Sequence, residues 1–386
     1  MPKERLTRRD LLLCVSVAIV SAALAGCGTK ATIAASTPTA TWQPPTFPPL
    51  QTVSPQASST LPLSEEGMYF TGRRTISYVD TDRNGRKVEV SVWYPAVRPE
   101  GFPGTVAQDA APDLGGAPYP LIVSSTKMAN TLAPYLVTHG FTWASVNGLD
   151  TYPLMKYQMF SQPLDILFTL DQVASNPPQG LEGVIDADHA GAVGYSFDGY
   201  NTLAMSGARI DPQYYLAQCP KPDATTQEIL SDMSSFNCAP ATEWQDFLSR
   251  AGEAITTSDD GLWQPMTDPR IRAVMPMASE GWWVFGEEGL AAVDRPVLII
   301  VGSEDVLYPE NELIFEHLGT AEKVLITFSG KGHMMISETK MVARMAHFAA
   351  AFFGYHLQRN EDLKYYFSEA WVAQQDGVAW GPYRGD

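Results

Sequence analysis

Apolar and polar residues alternate along the chain from about residue 72 with the periods of strands and helices. The segments RRTISYVD, RKVEVSVWYPA, YPLIVSS and FTWASVN predict strands, and Asn84-Gly85 between the first two predicts a two-residue hairpin turn. LAPYLVTHG predicts a short helix that ends at Gly140. QPLDILFTLDQVAS predicts a longer helix that ends at Asn176, with an apolar face formed by Leu164, Leu167, Phe168 and Leu170.

The second half of the chain continues the alternation after one interruption. HAGAVGYS predicts a strand and is followed by a helix from Asp198, whereas residues 209–268 lack strand periodicity and predict a cap insertion. IRAVMPMAS, RPVLIIVGSED and EKVLITFSG predict further strands, NELIFEHLG a helix, and Thr339 to Arg359 a long closing helix. This order predicts an α/β fold with a mostly parallel central sheet, helices on both faces and a cap insertion.

The N-terminal segment has the composition of an export signal. Basic residues precede an apolar run from Leu11 to Leu24 that is too short for a comfortable membrane span. The sequence LAGC that ends at Cys27 resembles the lipobox of bacterial lipoproteins, which implies that residues 1–27 are a signal peptide and that Cys27 carries lipid. A plain cleaved signal peptide is the alternative. The segment TRRDLL resembles a twin-arginine signal and leaves the export route open.

Residues 28–63 are rich in Thr, Ser, Pro and Ala and show no apolar periodicity. This composition predicts a disordered tether between the lipid anchor and a folded domain over residues 64–386. The domain is therefore expected outside the cytoplasm, held at the bacterial cell membrane by its lipid.

The net charge and the cysteines restrict the kinds of partner, disulfide and metal site that the chain can have. The net charge of −17 argues against a nucleic-acid partner, because binding to phosphates requires clustered Lys and Arg. Cys219 and Cys238 are expected to form a disulfide if the protein is exported. A metal site is not expected, because neither cysteine has a second Cys or a His at ligand spacing, and no cofactor is predicted.

Three residues near predicted strand ends could form a catalytic triad. Ser196 lies between a strand and a helix, the context of a nucleophile elbow, and its hydroxyl needs a base to become a good nucleophile. Asp305 lies at the end of the strand RPVLIIVGSED, and His333 lies just past EKVLITFSG, the last predicted strand. The chain order Ser, Asp, His is more specific than the serine motif alone, and Glu280 is the second choice for the acid.

Residues 72–357 resemble an α/β-hydrolase of the dienelactone hydrolase-like and platelet-activating-factor acetylhydrolase-like group, related to cutinase-like polyester hydrolases. The resemblance is carried by RKVEVSVWYPA, LVTHGF, GYSFDGY, DPRIRAVMPMAS, VLIIVGSEDVLYP and GKGHMM. It implies ester hydrolysis with Ser196 as nucleophile, Asp305 as acid and His333 as base. The acetylhydrolases proper carry the acid after the sixth strand, which corresponds here to Glu280.

The chain departs from the family pattern around the predicted oxyanion hole. Backbone N–H groups of Phe197 and Met128 are expected to form this hole, but Thr126 and Lys127 stand where relatives often have His-Gly. Residues 194–198, GYSFD, correspond to the GxSxG motif of serine hydrolases, and Asp198 occupies its second glycine position. We expect its side chain to point towards solvent or the cap, so that Asp198→Gly raises turnover less than about tenfold.

Aromatic residues near the strand ends are candidates for an acyl pocket, although core packing explains any one of them equally well. They are Trp143, Tyr152, Trp282 and Trp283. The sequence therefore predicts first a lipid-anchored serine carboxylesterase that acts on a small-molecule ester or a lipid. The alternatives are a non-catalytic binding lipoprotein with the same fold and a serine peptidase of the prolyl-oligopeptidase type, and the oligomeric state stays open.

Overall fold

The computed structural model describes residues 61–148, 156–219 and 238–385. The predicted signal peptide with Cys27, nearly all of the predicted tether, and Tyr152 lie outside these residues. Within the described ranges, ten strands form one sheet: β1 (Phe70–Asp80), β2 (Arg86–Ala96), β3 (Val106–Gln108), β4 (Tyr119–Ser125), β5 (Thr142–Val146), β6 (Ile185–Tyr195), β7 (Ile271–Met277), β8 (Val297–Gly302), β9 (Lys323–Phe328) and β10 (Val378–Trp380).

The strand order across the sheet is β10-β9-β8-β7-β6-β4-β5-β2-β1-β3. Neighbours from β9 to β5 pair in parallel, as do β1 and β3. The pairs β1–β2, β2–β5 and β9–β10 are antiparallel. The fold is therefore α/β with a mostly parallel sheet. β5 and β6 lie on opposite sides of β4, and this reversal opens a crevice beyond the carboxyl ends of β4 and β6.

Helices connect the strands, and several of them contact the sheet: α1 (Thr126–Thr138), α2 (Gln158–Ser175), α3 (Phe197–Met205), α4 (Pro212–Gln218), α5 (Ala239–Thr242), α6 (Trp244–Ala251), α7 (Glu253–Thr256), α8 (Trp282–Ala291), α9 (Tyr308–His317), α10 (Thr339–His356) and α11 (Glu369–Val372). Two 3₁₀ helices span His333–Ser337 and Glu361–Phe367. α1 packs on α10, and α2 packs on α3. Among the described residues, every helix falls short of the length and apolarity that a membrane crossing requires.

Helix α1 starts earlier than its sequence pattern predicts. The predicted helix begins at Leu132, yet α1 begins at Thr126, immediately after β4, and contains Pro134 in its interior. An interior proline costs about 3 kcal/mol, because it removes one hydrogen bond and crowds the preceding turn. The helix buries apolar side chains along its whole length and so offsets this cost: Met128, Ala129, Leu132, Ala133, Leu136 and Val137. The segment expected as the oxyanion loop is therefore a helical turn.

Helix α2 buries a different face from the predicted one. Of the four apolar residues expected to form its buried face, only Leu170 is buried. The buried face includes polar residues that have specific partners. Gln162 contacts Asn201 of α3, and both Arg83 and Arg86 contact the Asp165 carboxylate. Paired polar groups can occupy a core, and an apolar periodicity does not reveal such pairs.

The described residues between α3 and β7 form the short helices α4 to α7 and contain no strand. Cys219, at the end of α4, is bonded to Cys238, which precedes α5. The predicted disulfide is thus confirmed. At the other end of the described chain, Leu61 and Leu63, which fall within the predicted tether, pack against the core.

Candidate active site

Ser196 lies in a sharp turn between β6 and α3. Its backbone has φ 61° and ψ −123°, a conformation that non-glycine residues rarely adopt and that costs about 1–3 kcal/mol. Tight packing holds the turn in place, because a Cβ atom on Gly199 would lie 2.7 Å from Cβ of Ser279. The backbone of Asp198 similarly fills the space beside Gly194. The positions that require glycine are therefore 194 and 199, and position 198 can carry a side chain.

Ser196, His333 and Asp305 come together at the carboxyl edge of the sheet. His333 Nε2 lies 3.1 Å from Ser196 Oγ, and His333 Nδ1 lies 3.1 Å from both carboxylate oxygens of Asp305. Ser196 and Asp305 are both buried. A hydroxyl joined through an imidazole to a buried carboxylate is the arrangement that lets a serine act as a nucleophile.

The loop that carries Asp305 is held by hydrogen bonds of its own. Asp305 Oδ1 accepts the N–H of Leu307 at 2.9 Å. The side chain of Asn311 is buried, and its Oδ1 accepts a hydrogen bond from the Ser279 N–H at 3.0 Å. Its Nδ2 donates to the carbonyl oxygens of Ser279 and Leu307 at 2.9 and 2.8 Å. Asn311 therefore ties the loop after β8 to the end of β7, which orients the Asp305 carboxylate towards His333.

Tyr195 supports His333 from the side, a role that sequence reasoning missed. Its hydroxyl donates to the His333 carbonyl oxygen at 2.6 Å, and the two rings lie 5.3 Å apart. Burial and the charge of Asp305 raise the pKa of the Tyr195 phenol, so Tyr195 stays a neutral donor. Lys127 Nζ lies 5.9 Å from the centre of the same ring. Adjacency to the serine is the sequence signal that could have indicated Tyr195.

The expectation that Asp198 points towards solvent or the cap is wrong. Asp198 is 5% exposed, and Ser125 Oγ at the end of β4 donates to its carboxylate. Asn201 Nδ2 also donates to it at 3.3 Å and to Gln162 Oε1 at 3.0 Å. Backbone packing of α3 against β6 and β7 turns this side chain inwards, across the crevice between β4 and β6. Neither Ser125 nor Asn201 was singled out from the sequence.

The two predicted oxyanion donors lie at the beginnings of two helices. Phe197 is the first residue of α3, and Met128 is the third residue of α1. N–H groups in a first helical turn point out of the helix, and the helix dipole makes this end favourable for negative charge. α1 follows β4 and α3 follows β6, so both helices begin at the crevice where the strand order reverses.

Glu280, the second choice for the triad acid, is fully buried just after β7. The carboxylate in contact with His333 is that of Asp305. Burial and the nearby charge of Glu280 raise the pKa of Glu310 to about 8, although hydrogen bonds from two backbone N–H groups act against the shift. These groups belong to Gly281 and Trp282, at 2.8 and 2.9 Å from Glu310 Oε1. Glu310 therefore caps the N-terminus of α8.

The predicted pocket aromatics occupy different environments. Trp143 on β5 is fully buried, and its indole N–H donates to Ser124 Oγ at 2.7 Å, so this residue packs in the core. Trp282 and Trp283 begin α8, close to the end of β7, and remain 6% and 8% exposed. These two tryptophans are the described candidates for contact with a substrate.

Across the described ranges, no group of three or more His, Cys, Asp or Glu side chains is placed to hold a metal ion. A scan against protein-family models and a search of curated proteins each give no match for this chain.

Proposed function

We propose that the protein is a serine carboxylic-ester hydrolase with an α/β-hydrolase fold. The observation that carries the proposal is the continuous contact from Ser196 Oγ through His333 to the buried Asp305 carboxylate. The order of these residues in the chain and their positions after β6, β8 and β9 support it further. The strained backbone of Ser196 also supports it, because such strain persists at positions where function requires it.

In the proposed reaction, Ser196 Oγ attacks the ester carbonyl while His333 Nε2 takes its proton. The Asp305 carboxylate accepts the Nδ1–H hydrogen bond and stabilises the imidazolium. Negative charge develops on the former carbonyl oxygen, where the N–H groups of Phe197 and Met128 would donate to it. The tetrahedral intermediate then collapses, and His333 returns the proton to the departing alcohol. Water then loses a proton to His333 and attacks the acyl carbonyl. The bond from this carbon to Ser196 Oγ breaks, His333 returns the proton to Ser196 Oγ, and the carboxylic acid leaves.

The proposed substrate is a small-molecule ester or a lipid. Trp282 and Trp283 are nearly buried at the start of α8, in the segment that follows β7, and we propose that they form the apolar surface for an acyl chain. We further propose that the protein is exported and anchored to the bacterial membrane by lipid on Cys27. That proposal rests on the residues around Cys27 and is tested separately.

The test is covalent labelling with a fluorophosphonate probe, which reacts with activated serines. The parent protein should be labelled at Ser196, as peptide mass spectrometry would show. Ser196→Ala should abolish labelling, and His333→Ala should reduce it by orders of magnitude, because the serine loses its base. The matched control is Ser206→Ala, a buried serine of the same domain that lies outside the triad.

A second candidate function is that of a non-catalytic binding lipoprotein. The buried Asp198 carboxylate favours it, because a negative charge two residues from Ser196 opposes an oxyanion. A folded parent protein that resists the probe and hydrolyses no ester would support this candidate against the esterase.

A further inference from the structure

A chain of buried hydrogen bonds crosses the crevice where the strand order reverses. The Trp143 indole donates to Ser124 Oγ at 2.7 Å, and Ser124 Oγ donates to the Ser125 carbonyl at 2.7 Å. Ser125 Oγ donates to the Asp198 carboxylate. Asn201 then links Asp198 to Gln162 of α2. The Ser125–Asp198 hydrogen bond joins the residue before α1 to the first turn of α3.

These two helices carry the proposed oxyanion donors. Ser125 directly precedes α1, in which Met128 is the third residue, and Asp198 directly follows Phe197. The contact therefore joins the two segments that carry these N–H groups, which in the proposed reaction must converge on one oxygen atom. Donors stabilise an oxyanion only when they are held at the position where the charge develops, and a displacement of about 1 Å can cost a hundredfold in rate.

We propose that Ser125 and Asp198 form a positioning pair that sets the geometry of the oxyanion hole. This inference rests on the proposed esterase function. Asp198 acts on the reaction in two opposite ways: its contact with Ser125 aligns the donors, and its negative charge opposes the oxyanion. We expect the alignment to outweigh the charge, because Ser125 and Asn201 donate hydrogen bonds to the carboxylate and so offset part of its negative charge. Loss of the side chain therefore lowers turnover, contrary to the expectation from sequence.

Three substitutions separate the two effects, with hydrolysis of a short p-nitrophenyl ester and the rate of fluorophosphonate labelling as readouts. Asp198→Gly removes both the contact and the charge, and kcat should fall roughly tenfold or more with little change in KM. Asp198→Asn removes the charge but keeps an oxygen that accepts from Ser125, so kcat should equal or exceed that of the parent. Asn201 Oδ1 has no hydrogen-bond partner among the described residues and can receive the new amide. Ser125→Ala should lower kcat as Asp198→Gly does.

Controls distinguish positioning from general loss of stability. Asp80→Gly removes another buried carboxylate, at the β1–β2 hairpin far along the sheet, and should lower Tm without lowering kcat. The double variant Ser125→Ala/Asp198→Gly should lose no more activity than the worse single variant, because both remove one contact. If Asp198→Gly matches or exceeds Asp198→Asn in kcat, or the double losses multiply, the positioning pair is refuted. A parent that is never labelled at Ser196 refutes the esterase proposal itself, and this inference with it.

Discussion

Asp198 shows that one position of a motif can change while the turn that the motif predicts still forms. The second glycine of GxSxG is expected to permit close packing, yet the close approach occurs one residue later, where Gly199 meets Ser279 just after β7. Because Gly199 contacts Ser279 so closely, the first turn of α3 packs tightly against the end of β7. The side chain of Asp198 then points into the crevice. The motif therefore predicts the turn correctly but not which glycine the turn requires.

The identity of the triad acid is a second question at the scale of residues. Asp305→Asn should reduce ester hydrolysis by orders of magnitude while the protein stays folded, since His333 would lose the carboxylate that orients it. Glu280→Gln keeps the shape of a side chain that is fully buried just after β7, and because Asp305 supplies the carboxylate beside His333, its activity should stay within a few-fold of the parent. Rates with a p-nitrophenyl ester compare the two. The reverse pattern would assign the acid to Glu280.

At the scale of elements, the cap of α8 links stability to pH. The pKa of Glu310 is raised to about 8 from 4.5, so the folded protein keeps a proton that the unfolded chain has lost at intermediate pH. The free energy of unfolding should therefore fall as pH rises from about 4.5 to 8, by up to about 1.4 kcal/mol per pH unit from this group, and level off above.

Glu310→Gln isolates this effect. Its side-chain oxygen still accepts from the N–H groups of Gly281 and Trp282, but it does not titrate, so the variant should gain stability relative to the parent between pH 5 and 8. Urea unfolding at several pH values measures the difference. Parallel pH profiles for the two proteins would show that Glu310 is already ionised in the folded state.

The disulfide is the second element-scale device. It closes a loop between residues 19 apart in sequence, at the end of α4 and the start of α5. Closing such a loop stabilises the folded state by roughly 3 kcal/mol in the chain-entropy model. Replacement of Cys219 and Cys238 by Ser should lower Tm by several degrees, and the parent in reductant should match the variant. An unchanged Tm would mean that the loop is already constrained in the unfolded chain.

At the scale of the whole molecule, the proposed anchor sets where the domain acts. Replacement of Cys27 by Ala should leave the protein unlipidated, so that membrane fractionation finds it released or retained as the unprocessed precursor. Esterase activity of the purified domain should not change, because Cys27 lies far along the chain from the described fold. Unchanged anchoring of the variant would refute the lipoprotein assignment.

Local patterns along the chain predict much of this protein. Mostly apolar runs predict β4, β5 and β8 with ends within about three residues of the observed ones, because buried parallel strands need apolar side chains on both faces. The edge positions of Ser196, Asp305 and His333 were also predictable, since residues at or shortly after the end of such a strand lie near the carboxyl edge of the sheet. The disulfide followed from the compartment implied by the N-terminus and from the count of cysteines.

Tertiary contacts decided the rest, because they depend on groups far apart in sequence. α1 could begin at Thr126 only because burial of its whole apolar face offsets the cost of Pro134. Gln162 and Asp165 lie on the buried face of α2. Asn201 donates to Gln162 there, and Arg83 and Arg86 contact the Asp165 carboxylate. The direction of Asp198 was likewise set by Ser125, 73 positions earlier in the chain. A periodicity records which residues are apolar, whereas the pairing of buried polar groups exists only once distant segments have come together.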